Sequence, residues 1–270
     1  MPRDAWASEA TRQRPSPDAR DDVADARRLA TVAAVLDAAG VRWWVDHGTL
    51  LGLVRDGRPL PWDDDIDLSF RAPEHAAVVR SLATVKPRLQ ARLIVTDRGV
   101  KVKPYGEHER TIDVAPYREL AGGTWEKQLL RVAPGVGAGR RRGRDALRWL
   151  AYRLDAALGH LDRWVWSTWT PPAVWARPLI GFTSLVAAGR ERFGRAQASR
   201  VGPGHFERLG TVRWGALSLP APADPEAYLS LRYGRHWRVP RQTWTWWDDD
   251  DTIVAPKAAG NDDGGDGDDG

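Results

Sequence analysis

No cysteine occurs among the 270 residues, and methionine occurs once. A disulfide framework, a thiol nucleophile and a thiolate zinc site are therefore excluded. Histidine is sparse too: six residues with no metal-ligand spacing, to which no role is assigned. No stretch reaches the roughly 18–20 uncharged apolar residues that a membrane-spanning helix needs. The best candidate, Pro178 to Ala188, is too short. Residues 1–21 are polar and Pro-containing, without the apolar core of a signal peptide, and read as a disordered leader.

What the chain does hold is charge, unevenly spread. The formal net charge is +4, yet residues 1–117 carry 18 basic and 18 acidic groups, 118–200 carry 15 and 6, 201–247 carry 6 and 3, and 248–270 carry 1 and 9. A basic middle suits phosphates, nucleic acid or anionic lipid. Because Arg outnumbers Lys 35 to 5, compositional bias explains part of it. At 42% hydrophobic and 28% charged, the chain is globular. Five segments follow: the leader 1–21, a folded core 22–123, a basic Trp- and Arg-rich helical insertion 124–200, a returning part of the core 201–247, and an acidic disordered tail 248–270.

Helical spacing of Val23, Ala26, Leu29, Ala30, Ala33 and Leu36 predicts a helix from Asp22 to Ala39, stopped by Gly40. Val41–Asp46 reads as a short strand, and Gly48-Thr49 opens a second helix through Arg55. Ile66–Phe70 alternates like a half-buried strand, and Pro73–Leu82 reads as a helix. Leu89–Thr96, Val100–Lys103 and Thr111–Ala115 are further strand candidates. In the insertion, Leu147, Leu150, Leu154, Leu158, Leu161 and Val165 form an apolar helical stripe, broken later at Thr170-Pro171-Pro172. Residues 224–237 give another helix, with Asp224 as N-cap. The order fits a mixed-sheet α/β or α+β domain.

Chemistry concentrates in Gly48-Thr49-Leu50-Leu51-Gly52-Leu53-Val54-Arg55 and Pro61-Trp62-Asp63-Asp64-Asp65-Ile66-Asp67-Leu68. Four carboxylates within five positions repel one another, and a divalent cation with hard oxygen ligands, Mg²⁺ or Mn²⁺, neutralises them naturally. Strand alternation puts Asp65 and Asp67 on one face with Ile66 on the other. Asp63 shares their parity ahead of the strand, while Asp64 is expected to face away. A strand end feeding a helix at Gly48-Thr49 presents backbone N–H groups suited to phosphate. Lys101 and Lys103 alternate with valines and read as a solvated strand face.

These two segments resemble the LicD family, which includes fukutin-related enzymes and has a nucleotidyltransferase fold. Thr111-Ile112-Asp113-Val114-Ala115-Pro116-Tyr117 resembles the family's second acidic strand. Tyr228-Leu229 with Tyr233-Gly234-Arg235-His236-Trp237 and Pro240 resembles its C-terminal motif. The resemblance spans roughly 25–120 and 205–245, and implies an α+β, nucleotidyltransferase-like mixed sheet flanked by helices. It also implies transfer of a phosphorylated group, phosphocholine or polyol phosphate, from a CDP-linked donor to a hydroxyl of a cell-surface glycan. Asp65, Asp67 and Asp113 would then bind the metal, and Asp113 or Asp67 would take the hydroxyl proton. Gly48, Thr49 and Arg55 would face the diphosphate, with Arg55 alternatively bracing its loop. Tyr233 and Trp237 would stack on the base or pack on the sheet.

Two departures from the family pattern stand out. Asp56-Gly57-Arg58 replaces a His-Gly-Gly-like turn, and Ala115 replaces a Phe before proline; both bear on cargo and acceptor more than on metal. Other readings are a nucleotidyltransferase moving NMP from an NTP to a small hydroxyl compound, and an inactive binding protein. No nucleic-acid partner and no obligate protein partner are expected. The insertion is read as helices packed on the core or as a peripheral contact with anionic membrane, at the inner face of the membrane of a cytoplasmic protein.

Overall fold

The computed structural model describes residues 21–96, 99–106, 108–132, 195–241 and 250–254, and every structural statement below concerns those residues. Helix α1 (Asp22–Ala38) begins where Asp21 accepts a hydrogen bond from the Ala24 amide at 2.9 Å. Leu29, Val32 and Leu36 form its buried stripe, while Val23, expected on the same face, lies in the first turn and is exposed. Strand β1 (Trp43–Val45) leads directly into helix α2 (His47–Asp56), and β2 (Asp65–Arg71) follows the loop. A 3₁₀ turn at Ala72–Glu74 takes the proline, after which α3 runs over His75–Leu89. It outlasts the expected Leu82 end because Val85 and Leu89 continue the buried face.

Strands β3 (Ala91–Thr96), β4 (Gly99–Pro104) and β5 (Thr111–Glu119) complete the N-terminal half of the sheet. The architecture is mixed α+β. Strand β5 lies parallel to β2, while β1–β2, β3–β4 and β4–β5 are antiparallel. Ile66, Leu68, Phe70, Ile112, Val114, Val100 and Val102 fill one side of this sheet, with α1 packed on α3. A core of that size leaves the opposite side free to carry polar groups.

Two expectations are corrected here. The segment 124–200 does not open or close as helix: β6 (Trp125–Val132) and β7 (Arg195–Val201) are strands that pair antiparallel, Trp125 opposite Val201 and Lys127 opposite Ser199. Each strand is stabilised by a partner far away in the chain, which local periodicity does not reveal. Residues 133–194, including the Leu147–Val165 stripe and the break at Thr170, lie outside the described residues.

The second correction concerns the tail. Asp250 and Thr252 are buried, and β10 (Ile253–Val254) pairs antiparallel with β7. Asp250, within the acidic run, therefore belongs to the fold, as the counter-ion of a buried arginine, Arg232.

The C-terminal part adds a hairpin of β8 (Leu209–Trp214) and β9 (Leu217–Pro222), then helix α4 (Pro225–Tyr233). Asp224 caps α4 through the Ala227 amide at 2.9 Å, as its sequence suggests. An aromatic cluster joins the two halves of the chain. Trp44 stacks on Phe206 with centroids 4.6 Å apart, and Tyr117, Trp125 and Tyr228 surround the same ring.

Candidate active site

The polar side of the sheet carries its acids where β2 and β5 run side by side. Parallel register sets Asp67 opposite Asp113 and Asp65 opposite Thr111. Alternation sends Ile66 and Leu68 into the core and leaves Asp65, Asp67 and Asp113 on the other face, half-buried. Asp63 and Asp64 join them: one carboxylate oxygen from each of Asp63, Asp64 and Asp65 lies within 4.8 Å of the others. Asp64 thus turns toward the cluster, not away from it, because it precedes the regular strand. Its carbonyl accepts from the Thr111 amide at 3.1 Å.

Crowding of like charges in a half-dry place sets the electrostatics. Burial, then the charge of Asp67, pushes the Asp63 carboxyl up to about 6. Burial and the charges of Asp63 and Asp113 lift Asp65 well above the usual carboxylate range. Burial and Asp65 do the same to Asp67, against the opposing pull of Lys127. Lys101 is exposed, as its alternation with valines suggests, and also pairs with Asp113 across β4–β5. Burial disfavours the Lys101 ammonium, but Asp113 outweighs it and raises its proton affinity. Asp113 Oδ1 is buried and has no hydrogen-bond partner among the described residues. An all-oxygen donor set with one orphaned oxygen and mutual repulsion fits a hard divalent cation.

The start of α2 adjoins this cluster. Thr49 is buried and its hydroxyl accepts from the Asp67 amide at 2.8 Å, while the Asp46 amide donates to the Asp67 carbonyl at 3.0 Å. Residues 46 and 49 thereby grip Asp67 from both sides. Gly48 faces Asp63: a Cβ there would sit 2.4 Å from Asp63 Oδ2. Gly52 lets the following loop touch the helix, since its Cβ would lie 2.6 Å from the Arg58 carbonyl. Arg55 makes two bonds to Asp56, at 2.9 and 2.8 Å, and lies 6.0 Å from the Trp62 ring centroid. That is the loop-bracing arrangement.

The C-terminal residues divide. Tyr233 lies close enough to Asp67 that burial and that charge, against Arg232, raise its phenol far above its usual range. Trp237 is 4% exposed within the core, with the Arg238 guanidinium 4.3 Å from its ring centroid. It packs on the fold and presents no open stacking face.

Several residues at the site have no local sequence signal. Arg110, 1% exposed, binds Asp25 through its amide and guanidinium at 2.8 and 2.9 Å. It also reaches the Asp63 and Leu60 carbonyls, both at 3.2 Å, and so pins the acidic loop to α1. Asp46 is fully buried and accepts from Ser69 Oγ at 2.7 Å and Tyr228 Oη at 2.5 Å, with Lys127 Nζ at 3.6 Å. Burial alone would raise this carboxyl, yet adjacent positive charge and the Tyr228 hydrogen bond hold it well below the usual range. Those charges are Lys127 and Arg232 rather than His47, whose own proton affinity burial and Arg232 push far down. His47 Nε2 lies 3.3 Å from Asp46 Oδ2 without forming a hydrogen bond. Only long-range contact brings these groups together; the lone hint in the sequence was Tyr228 in the C-terminal motif.

Comparison with known proteins agrees with the motif. Residues 40–125 match the LicD/FKTN/FKRP nucleotidyltransferase domain, a span that holds α2 and both acidic strands. Ribitol 5-phosphate transferase FKRP of Mus musculus and that of Homo sapiens are each 57% identical over 39 residues. Those residues are 14% of this chain and 8% of the relative, so the match spans under a tenth of those curated proteins. Among solved structures, the antibiotic-resistance factor ANT(2'')-Ia is similar at 18% identity with a TM-score of 0.31, covering 64% of this chain and 98% of that one. The lincosamide antibiotic adenylyltransferase LnuA is similar at 18% identity and a TM-score of 0.28, covering 42% and 65%. Both likenesses are too distant to support an argument. Among the described residues, no helix is long and apolar enough to cross a membrane.

Proposed function

Starting from a LicD-type nucleotidyltransferase domain at residues 40–125, we propose that the chain is a metal-dependent phosphotransferase. It moves a phosphorylated group, phosphocholine or a polyol phosphate, from a CDP-linked donor to a hydroxyl of a cell-surface glycan. The observation that carries the reading is the register of Asp67 against Asp113 beside Asp65, three like charges held together on the polar face of two parallel strands. Nothing in packing requires that arrangement, and mutual repulsion opposes it.

Asp65, Asp67 and Asp113 would hold Mg²⁺ or Mn²⁺, with Asp63 and Asp64 close enough to contribute. When bound, the cation would neutralise charge on the donor diphosphate and on the departing CMP. The amides at the start of α2 would bind a phosphate oxygen, Gly48 leaving room beside Asp63. The acceptor hydroxyl oxygen forms the new P–O bond, the P–O bond to CMP breaks, and a carboxylate, Asp67 or Asp113, takes the hydroxyl proton. Lys101 and Lys127 flank the acids from β4 and β6 and limit the local excess of negative charge.

The test is release of CMP from CDP-choline, CDP-ribitol and CDP-glycerol, with and without EDTA. Release from one donor that stops on chelation and returns with Mn²⁺ supports the proposal. Release that survives EDTA would overturn the metal-dependent reading, and pyrophosphate released from an NTP, with no CMP from a CDP-linked donor, would replace it with the nucleotidyltransferase reading.

A further inference from the structure

We propose that Tyr228 and Arg232 are positioning residues for this reaction, acting through Asp46 on the start of α2 and on Asp67. The inference rests on the phosphotransferase reading for its kinetic consequence, and on geometry alone for the coupling. Tyr228 and Arg232 stand four residues apart on α4, both fully buried. Tyr228 Oη donates to Asp46 Oδ1 and accepts from Arg232 Nη1 at 3.1 Å. Arg232 Nη1 also reaches Tyr117 Oη at 3.3 Å and Ser199 Oγ at 3.2 Å, and Nη2 pairs with Asp250. Asp250 in turn accepts from the Thr252 amide and hydroxyl, at 2.9 and 2.6 Å.

The network contains two anions, Asp46 and Asp250, and two cations, Lys127 and Arg232. That balance allows it to be dry. Its outlet is Asp46. The carboxylate caps α2 through the His47 amide at 2.8 Å and ties to β2 through Ser69. The same residue's amide holds the Asp67 carbonyl, and its carbonyl accepts from the Leu50 amide at 3.0 Å. One residue later His47 adopts a left-handed backbone, φ 46°, so the chain direction at this junction is held against local preference. Core packing needs no phenol hydroxyl at 228, because Phe would fill nearly the same volume. The hydroxyl links α4 to Asp46, and its other partners, Arg232 and Tyr117, keep hydrogen bonds to each other without it.

The experiment compares Tyr228→Phe with the unaltered full chain. The expected result is a kcat for CMP release about tenfold lower with KM within about twofold. Mn²⁺ affinity by calorimetry should weaken several-fold. Amide exchange should quicken about tenfold at Asp67 and Leu50 while the amides of α3 keep their rates. A kcat within twofold of the unaltered chain overturns the proposal, and so does uniform quickening across α1 and α3, which marks general loosening. If Y228F does not fold, Ser69→Ala removes another hydrogen bond to Asp46 and is judged by the same readouts. If the unaltered chain releases no CMP from any donor, the phosphotransferase reading fails by itself. Exchange at Asp67 and Mn²⁺ affinity then decide the positioning, and unchanged values in Y228F overturn it.

Discussion

Two acidic groups of residues lie on the same face of the sheet and differ in one respect. The Asp63–Asp67 cluster with Asp113 gathers like charges and is answered, among the described residues, by Lys101 and by Lys127 nearby. Asp46 and Asp250 are more deeply buried, yet each meets a cation and hydroxyl or amide donors. Burial raises the carboxyls of both groups, but the net shifts differ: Asp65 and Asp67 stay above the usual range, whereas neighbouring positive charge and the Tyr228 hydrogen bond hold Asp46 below it. A fully compensated buried acid is architecture, whereas a cluster whose acids outnumber the cations beside them is a place prepared for a cation.

The largest expected effect breaks the uncompensated side. Replacing Asp65 and Asp67 together by Asn should reduce donor turnover by about 10³-fold while thermal unfolding shows equal or greater stability, since repulsion is relieved. Turnover near that of the unaltered chain would reduce the cluster to a solvated acidic turn. Next, Arg232→Met breaks the compensated side and leaves Asp250 without its counter-ion. Urea denaturation should show a loss of about 3–5 kcal/mol. A loss below roughly 1 kcal/mol would mean that water reaches the network and that the contrast is overstated.

The smallest effect sharpens the comparison through pH. The Asp63 carboxyl, raised from 3.8 to about 6, binds its proton more tightly folded than unfolded. Its contribution therefore favours the fold at low pH and is lost as pH rises from about 4 through about 6. Relative to Asp63→Asn, the metal-free chain should lose a few degrees of melting temperature over that window, and Mn²⁺ at neutral pH should restore them. A difference that grows in the opposite direction would show that Asp63 is paired in the fold. Asp46, held low, behaves conversely: its contribution is present above the ordinary carboxylate range and is lost only as pH falls below it.

Legibility followed the range of the forces involved. Helix α1, the β1–α2 junction and β2 were readable because spacing, an N-cap and the Gly48–Arg55 and Pro61–Leu68 segments are local. Lys101 is solvated, as its alternation with valines suggests, but its ion pair with Asp113 is not legible in the sequence because Asp113 sits on another strand. Trp125–Val132 and Arg195–Val201 are strands that the sequence does not reveal, because Trp125 meets Val201 only in three dimensions. The Asp-rich composition of 248–270 reads as a disordered tail and conceals that Asp250 answers Arg232.

The sequence by itself narrowed the first hundred residues to a mixed-sheet α/β or α+β domain and determined the spacing of the acids, since both depend on backbone period and near neighbours. It also closed off thiol and disulfide chemistry, a question of composition alone. Only the tertiary structure decided which charges are answered. Arg110 reaches Asp25 and the loop at Asp63, Tyr228 reaches Asp46, and Asp250 reaches Arg232. The reason is that Coulomb interactions depend on distance and dielectric, and both are set by how the chain packs rather than by the order of its residues.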